Sequence, residues 1–473
     1  MSVIARHTTA PNLREVLAVA ELFAGVFRRD VLSFYPQSVL EPIGHDGIPT
    51  SVHGGPNFQV FEPPGRQAGS HLEVGMFGLR YSLLPRPGTR FSTQDLRMLR
   101  AIGAVLSLRY HHLFQVAHFS RIELFRGGSE DHYVAAFVEP QAYAPATAKL
   151  SRIASTILTL RTAALSTYEN RRVSTGALLI GPGEVPAVAP EEAPPDALDY
   201  VAELTSLKSI HRLCDGSRTL FLVDGEGKLA DIVDIERWAS EVEVGEAPEV
   251  PCPRVYASHA RATRIGGHVC LVLSPNQEIK LFAGGLQSFV FAHGRWRILD
   301  PAAKFAVWEA ATANARLARV LFQTALDLAE SRHGGLLVVV NDPEQAVDRL
   351  IARHDMLETE APEGPTRELS LGDPLANRAL HYLARNRNAT DMAPAVLESL
   401  AGLDGALATD RSGRLLAFGA ILRHSASGMP NPITAEGART TAALVASRFG
   451  PVLKVSEDGI ISCFLNGSRV WDL

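Results

Sequence analysis

The sequence of 473 residues contains only four cysteines, and none of them forms a C-x-x-C pair. This spacing argues against a zinc site built on thiolates and against a disulfide framework. We expect four reduced thiols, as in proteins of a reducing compartment, and therefore a cytoplasmic location. The four cysteines are Cys214, Cys252, Cys270 and Cys463.

The chain also lacks long hydrophobic runs and a surplus of positive charge. No apolar stretch approaches the roughly 20 residues that span a bilayer, and the first residues lack the apolar segment of a signal peptide. The formal net charge is −5 and the basic residues are scattered, which argues against a nucleic-acid-binding surface. We therefore expect a soluble protein with neither a membrane nor a nucleic acid as partner.

What is present is an ordinary globular composition, with 21% charged residues and 46% in the hydrophobic class. A chain of this length is expected to form more than one core. We predict an α/β protein in three parts. Residues 1–120 form an α+β module, and residues 145–300 and 310–473 each form an α/β domain, with a mixed sheet flanked by helices.

The division of the later two parts is based on an internal repeat. In each part a helix of small and apolar residues precedes a glycine and a buried strand, ALLIG (177–181) in the first and LLVVV (336–340) in the second. An Asp-Gly step with two strands follows, and then an arginine-bearing helix start with two more strands. The later segments pair as 214–236 with 403–422 and 257–285 with 437–467. The shared order predicts a tandem duplication.

The N-terminal part has a different pattern. Residues 85–114 predict an amphipathic helix, with Ser92 as N-cap and Asp95 completing a capping box. The preceding segment VGMFGLRYSLL (74–84) is strand-like. This strand and helix resemble the end of a GAF domain, and any other α+β module with an amphipathic terminal helix fits the same residues equally well.

Four segments of the C-terminal part carry a second resemblance: GGLLVVV (334–340), DGA (404–406), GARTTAA (437–443) and KVSEDGIISCFLNG (454–467). Together they resemble a diadenylate cyclase (DAC) domain, which condenses two ATP molecules into cyclic di-AMP. In that family Asp-Gly-Ala supplies an acid near the reacting hydroxyl and the metal, and a Gly-Thr-Arg-His-Arg turn at a helix start grips the triphosphate. Helix N-termini favour anions, and carboxylates hold metals that bridge phosphates.

The resemblance implies a catalytic and metal-binding role for Asp404 and for its counterpart Asp215, with Mg²⁺ or Mn²⁺ arriving with ATP. The second copy departs from the family at the phosphate-gripping turn. Aligned on the Ala-Ala that follows, the turn falls on 437–441, where only Gly437 and Arg439 keep the family's residue. Each charge-assisted contact is worth about 1.5–3 kcal/mol, so the loss of the histidine and the second arginine should reduce turnover strongly.

The first copy departs in another way. It keeps the acid in Asp215-Gly216, and its turn falls on 257–261, where Ser258 stands for threonine and Arg261 for the second arginine. His259 replaces the first arginine. The candidate nucleotide-binding residues are therefore Asp404, Gly405, Ala406, Gly437, Arg439, Thr440 and Thr441 in the second copy, and Asp215, Gly216, Ser258, His259 and Arg261 in the first.

A purely structural role is open for each of these residues. Asp404 and Asp215 can be turn formers, since Asp-Gly is a common turn. Arg439 can be a surface cation near a helix start, and His259 can be an ordinary core or solvated histidine.

Three functions fit these observations. The favoured one is a non-catalytic or weakly catalytic sensor, similar to sensor domains derived from diadenylate cyclases. It binds an adenine nucleotide or cyclic dinucleotide and signals to a downstream protein, with the two copies paired within the chain or in a homodimer. The second is a divergent diadenylate cyclase with a composite site, Asp404 with Arg261 or Asp215 with Arg439. The third is a signalling scaffold without a ligand.

Overall fold

The structure is a computed structural model that describes most of the chain. The described residues are 13–45, 58–62, 69–76, 79–87, 89–114, 122–144, 151–183, 194, 196–207, 209–242, 248–347, 349–357, 376–423 and 437–473. Helices and mixed sheets occur throughout, which confirms the predicted α/β class. None of the described helices combines the length and apolar character needed to cross a membrane.

The chain divides into two compact units. The first comprises Met1–Glu243 and Ala262–Leu299, and the second comprises Val244–Arg261 and Asp300–Leu473. The predicted module at 1–120 and the predicted domain at 145–300 thus fall largely in one unit. The segment 244–261 joins the unit that holds the predicted C-terminal domain.

The first unit begins with a four-stranded antiparallel sheet of order β1-β4-β3-β2 and the helices around it. Helix α2 starts as its sequence predicts, because the Ser92 amide donates to Asp95 (2.6 Å) and the Asp95 amide donates to the Ser92 hydroxyl (3.3 Å). The elements are α1 (Leu13–Phe34), β1 (Val39–His45), β2 (Gln59–Phe61), β3 (Leu72–Met76), β4 (Leu79–Leu84), α2 (Thr93–Phe114) and α3 (Ser129–Val138).

The rest of the first unit is organised by a seven-stranded sheet. Its interior strand β7 is buried along its whole length, as expected of a strand covered on both faces. The elements are α4 (Arg152–Ala164), β5 (Thr167–Tyr168), β6 (Arg171–Arg172), β7 (Thr175–Leu179), α5 (Ile210–Leu213), β8 (Thr219–Val223), β9 (Leu229–Asp234), α6 (Ile235–Glu241), α7 (Ala257–Ala262), β10 (Val269–Leu273), β11 (Ile279–Ala283), β12 (Leu286–Ala292) and β13 (Arg295–Ile298). Helix α7 lies in the segment that belongs to the second unit, apart from its last residue.

One hydrophobic core runs through the first unit. It includes Phe27 of the N-terminal module, Tyr133 of α3, Leu179 of the large sheet and Trp296 of β13. Phe137 and Phe289 meet edge to face, with ring centroids 4.8 Å apart. The N-terminal module and the seven-stranded sheet are therefore stabilised by the same burial of apolar surface.

The second unit contains a six-stranded sheet and its own core. Strand β14 is buried at every residue, and helix α9 begins at an N-cap, since Asn314 accepts from the Leu317 amide at 3.1 Å. The elements are α8 (Pro301–Thr312), α9 (Ala315–Glu330), β14 (Gly335–Val340), α10 (Pro343–Ala346), α11 (Pro394–Ala401), β15 (Ala406–Asp410), β16 (Leu415–Ala420), α12 (Ala438–Ala446), β17 (Val452–Val455), β18 (Ile461–Leu465) and β19 (Ser468–Asp472). Short 3₁₀ helices occupy Ile122–Phe125, Pro140–Tyr143, Ala202–Ser206, Arg254–Tyr256, Arg353–Asp355, Ala376–Leu383 and Ala389–Asp391.

The two large sheets have the same strand order. The order β9-β8-β7-β10-β11-β12 in the first sheet corresponds to β16-β15-β14-β17-β18-β19 in the second. In each sheet the first two strands of the repeat pair in parallel, and the neighbouring pairs are antiparallel. The first sheet adds β13 at its edge. This common order is what the proposed duplication predicts.

Candidate functional site

The Asp404-Gly405-Ala406 corner lies where the chain enters strand β15. Gly405 has φ +113°, and a Cβ there would approach the carbonyl carbon of Gly419 to 2.4 Å. Only glycine fits this combination of backbone conformation and close approach. The corner brings Asp404 to the surface, where its side chain is 97% exposed.

Arg439 reaches this corner from the first turn of α12. Its Nη2 lies 3.2 Å from Asp404 Oδ1, and its Nη1 lies 3.1 Å from Glu457 Oε1. The guanidinium packs over Gly334, where a Cβ would come within 2.0 Å of Nη1. All four segments that resemble the DAC family therefore meet at this arginine.

The start of α12 adds backbone amides and the Thr440 hydroxyl to this cluster. Gly437 is the N-cap and makes no side-chain cap. Thr440 is buried in the first turn, and its hydroxyl accepts from Lys454 Nζ at 2.8 Å. Thr441 is half-buried. The first amides of a helix carry partial positive charge. The cluster therefore combines this helix start with two cationic side chains, Arg439 and Lys454.

The charged side chains at the site differ in burial, from the partly buried Lys454 to the exposed Asp404 and Glu457. Burial lowers the pKa of Lys454, while Asp472 raises it and Arg439 lowers it further. The carboxylates that hold Arg439 are exposed, and exposed ion pairs are worth about 0–1 kcal/mol. An incoming anion can therefore replace them at little cost.

Asp215, the counterpart of Asp404, has a different environment. Its Oδ1 accepts from the amides of Ser217 (2.8 Å), Arg218 (2.7 Å) and Thr219 (3.2 Å), and its Oδ2 accepts from Arg218 Nε (3.0 Å). Burial alone would raise the pKa of Asp215, but these donors lower it to about 2. The carboxylate thus closes its own turn, and Gly216, with φ +75°, supplies the backbone freedom.

The remaining first-copy candidates are in α7. Ser258 and Arg261 are half-buried, and His259 is fully buried with its ring edge-on to Tyr256 at 5.2 Å. Asp215 and Gly216 belong to the first compact unit, whereas these three residues belong to the second. The observed environment of His259 is that of a packed core histidine.

Three contributors to the second-copy site were not among the predicted residues: Gly334, Lys454 and Glu457. Lys454 had a readable signal, because it interrupts the otherwise buried strand VLKV. A lysine in such a strand needs a polar partner or solvent. Gly334 and Glu457 had no such signal, because their role depends on where the Arg439 side chain lies.

The same geometry bears on the predicted metal. Asp404 and Glu457 are both directed at the Arg439 guanidinium, so the positive charge they share is that of the arginine. Within the described ranges, no three His, Cys, Asp or Glu side chains cluster in a way that could hold a metal ion. This donor set does not fit a metal held by the protein alone, and Mg²⁺ or Mn²⁺ would have to arrive with the phosphates.

The four cysteines are free and buried, in agreement with the expectation of reduced thiols. Burial raises the pKa of Cys214 to about 12 and raises those of Cys270 and Cys463 further. Thiols with raised pKa values and no exposure are poor nucleophiles. They take no part in the candidate site.

Comparisons with known proteins add little. No protein-family model and no curated protein matches the chain. A solved structure described as a hypothetical membrane spanning protein from Bacillus cereus aligns at 24% identity over 32% of this chain and 60% of its own, with a TM-score of 0.20. DacA from Staphylococcus aureus, as a cysteine double mutant, aligns at 19% identity over 33% of this chain and 84% of its own, with a TM-score of 0.22. TM-scores this low carry no weight for fold or function.

Proposed function

We propose that this protein is a sensor that binds an adenine nucleotide or cyclic dinucleotide and does not turn it over efficiently. The phosphates bind beside Arg439 and Lys454 at the start of α12. The observation that carries the proposal is the guanidinium of Arg439, which pairs with two exposed carboxylates next to a helix start and a second cation. The binding signal passes to a downstream protein, with the N-terminal module as its route.

The energetics favour exchange of the carboxylates for phosphate. Each exposed ion pair of Arg439 contributes about 0–1 kcal/mol. A phosphate oxygen bound to the same guanidinium makes a charge-assisted bond of about 1.5–3 kcal/mol, and bidentate geometry strengthens it. The α12 amides add a favourable field for the anion. Phosphate binding therefore outweighs the contacts that it displaces.

The same residues support binding over catalysis. The family's phosphate-gripping turn has two arginines and a histidine, and this chain has Arg439 followed by two threonines. In the first copy the acid is occupied by its own turn. Fewer donors are then available for charge that develops during transfer of a nucleotidyl group.

Calorimetric titration with ATP and with cyclic di-AMP tests the binding. We expect saturable binding of at least one of them to the wild-type chain, and at least a tenfold loss of affinity in Lys454→Met. Arg316→Ala is the matched control, since Arg316 forms an exposed ion pair with Asp391 (2.9 Å) in the same unit. Absence of binding by both nucleotides, or an equal loss in the control, would contradict the proposal.

A divergent cyclase is the second candidate, because the Asp404 carboxylate is almost fully exposed and accessible to a metal carried by ATP. Incubation with ATP and Mn²⁺ or Mg²⁺, followed by chromatography for cyclic di-AMP, separates the two functions. A sensor leaves ATP intact. Product formation that is lost in Asp404→Asn would assign the enzyme instead.

A further inference from the structure

The first unit contains a cavity that the proposed nucleotide site does not use. Its volume is about 440 Å³, within the range of about 300–1,000 Å³ typical of small-molecule sites. Helix α3, helix α4 and the 3₁₀ helices Pro140–Tyr143 and Ala202–Ser206 supply most of its wall. All of these residues belong to one compact unit.

The cavity has a buried polar end and an exposed rim. His132 and Tyr143 line it and are only 5% and 3% exposed, whereas Arg126 and Glu203 are exposed. Apolar side chains, including Leu158, form much of the wall between them. A ligand would therefore place a polar group at the inner end and an apolar body along the wall.

The buried end forms a hydrogen-bond chain with a defined direction. His132 Nε2 lies 2.8 Å from the Arg126 carbonyl oxygen, which can only accept, so Nε2 carries the proton. His132 Nδ1, 2.9 Å from the Tyr143 hydroxyl, then accepts from it. Ser151 also hydrogen-bonds to Tyr143. The Tyr143 proton is committed to His132, and one lone pair of the phenolic oxygen accepts from Ser151, whose bond lowers the pKa of Tyr143. The second lone pair remains an acceptor.

The buried end is also uncharged. Burial lowers the pKa of His132 and raises that of Tyr143, so both are neutral near pH 7. A charged ligand group placed here would lose its hydration, which is costly. Arg109, the cation that acts on both side chains, already donates to the Leu124 carbonyl oxygen and the Ser129 hydroxyl. The site thus favours a neutral group that donates a hydrogen bond.

We propose that this cavity is a binding site for a small, uncharged, amphipathic organic molecule whose buried end carries a hydroxyl or amide donor. The donor bonds to the oxygen of Tyr143 or Ser151, and the apolar body packs along α4. The site is separate from the nucleotide site and binds a different class of ligand.

Three related compounds test the recognition on the wild-type chain: phenol, anisole and benzoate. Phenol donates, anisole only accepts, and benzoate is charged. Ligand-observed NMR titrations should give phenol an affinity roughly three- to tenfold higher than that of anisole, the value of one neutral hydrogen bond, and benzoate the weakest. Equal affinities of phenol and anisole, tighter benzoate, or no binding of phenol would overturn the proposal.

Thiol labelling tests the location. All four native cysteines are buried, so labelling reports on an introduced thiol. Ser155→Cys places such a thiol on the cavity wall, at a partly exposed position. We expect saturating phenol to slow its reaction with methyl methanethiosulfonate several-fold. Ser240→Cys, at an exposed position of α6 in the same unit, is the control and should react at an unchanged rate. No slowing at position 155, or equal slowing at both positions, would place phenol elsewhere.

Discussion

At the scale of single residues, Arg439 determines the proposed phosphate site. Its guanidinium lies between two exposed carboxylates, Asp404 and Glu457, and over the bare backbone of Gly334. The carboxylates hold the arginine in place and compete with any anion that approaches it. Their removal therefore distinguishes a phosphate-binding arginine from an arginine with a structural role.

Neutralising the competitors should strengthen anion binding. In the double variant Asp404→Asn with Glu457→Gln, we expect the affinity for inorganic triphosphate, measured by calorimetry without divalent metal, to rise about three- to tenfold. Each exposed pair lost is worth up to about 1 kcal/mol, and repulsion of the anion is also removed. Thermal unfolding should change little. A decrease in affinity would show that these carboxylates serve the ligand and do not compete with it.

A substitution at Gly334 tests the position of the Arg439 guanidinium. An alanine Cβ would lie 2.0 Å from Arg439 Nη1, so Gly334→Ala should displace the guanidinium while leaving the backbone intact. We expect a loss of triphosphate affinity of about tenfold with a small change in the free energy of unfolding, measured by urea denaturation. Gly225→Ala is the control, because nothing lies within 4 Å of its added Cβ. Undiminished affinity in Gly334→Ala would exclude Arg439 from the site.

The sequence predicted part of this residue-level picture. Asp404 and Arg439 were selected from the pattern, and the structure places them in contact. Asp215 was selected on the same pattern, yet its carboxylate accepts three amides of its own turn. The shared Asp-Gly motif does not distinguish these two environments. Ser217 and Arg218 separate the first motif from strand β8, and their amides donate to the Asp215 carboxylate.

At the scale of elements, helix α9 has a largely buried acid that should make its packing depend on pH. Asp327 accepts from the Arg254 amide at 2.7 Å and lies 2.5 Å from the Arg254 guanidinium. Burial and, to a smaller extent, the charge of Glu398 raise the pKa of Asp327 to about 6 despite these donors. The segment that contains Arg254 is therefore attached to α9 through a titrating group.

This shift gives a signed prediction. The unfolded pKa is near the usual 3.8 and the folded pKa is about 6, so the folded state binds the proton more tightly. The contribution of Asp327 to stability is then fully present below the unfolded pKa and is lost as the pH rises through the folded pKa.

Urea denaturation of wild type and Asp327→Asn at pH values from about 4 to 7.5 measures this contribution. We expect the stability of the wild type relative to the variant to fall as the pH rises toward 6, by at most about 3 kcal/mol, and then to level off. A difference that is independent of pH, or one that grows with pH, contradicts the assignment.

Elements with strong local signals were predictable. The capping box of α2 and the buried strands β7 and β14 were confirmed, because caps and continuous apolar runs act locally. The small hairpin β5–β6, between α4 and β7, was not predicted. Its turn at Glu169 and Asn170, which have positive φ, contains no glycine or proline to signal it.

At the scale of the whole molecule, the two large sheets repeat one strand order. A repeated order of elements along the chain was predicted from the recurring turn chemistry and buried strands, but the order of the strands within the sheets was not. The grouping into compact units was not predictable. The segment 244–261 lies between strands β9 and β10 of the first sheet in the chain but joins the second unit. It does so through long-range contacts such as Arg254 with Asp327, which no local pattern encodes.

The most direct test compares ATP with adenosine in calorimetric titrations of wild type, Arg439→Ala and the control Arg316→Ala. The two ligands differ only in the phosphates that the α12 site is proposed to bind. We predict that wild type and control bind ATP more tightly than adenosine, and that Arg439→Ala narrows this difference by tenfold or more without changing the affinity for adenosine. An unchanged ratio of ATP to adenosine affinity in Arg439→Ala would contradict the proposed phosphate site.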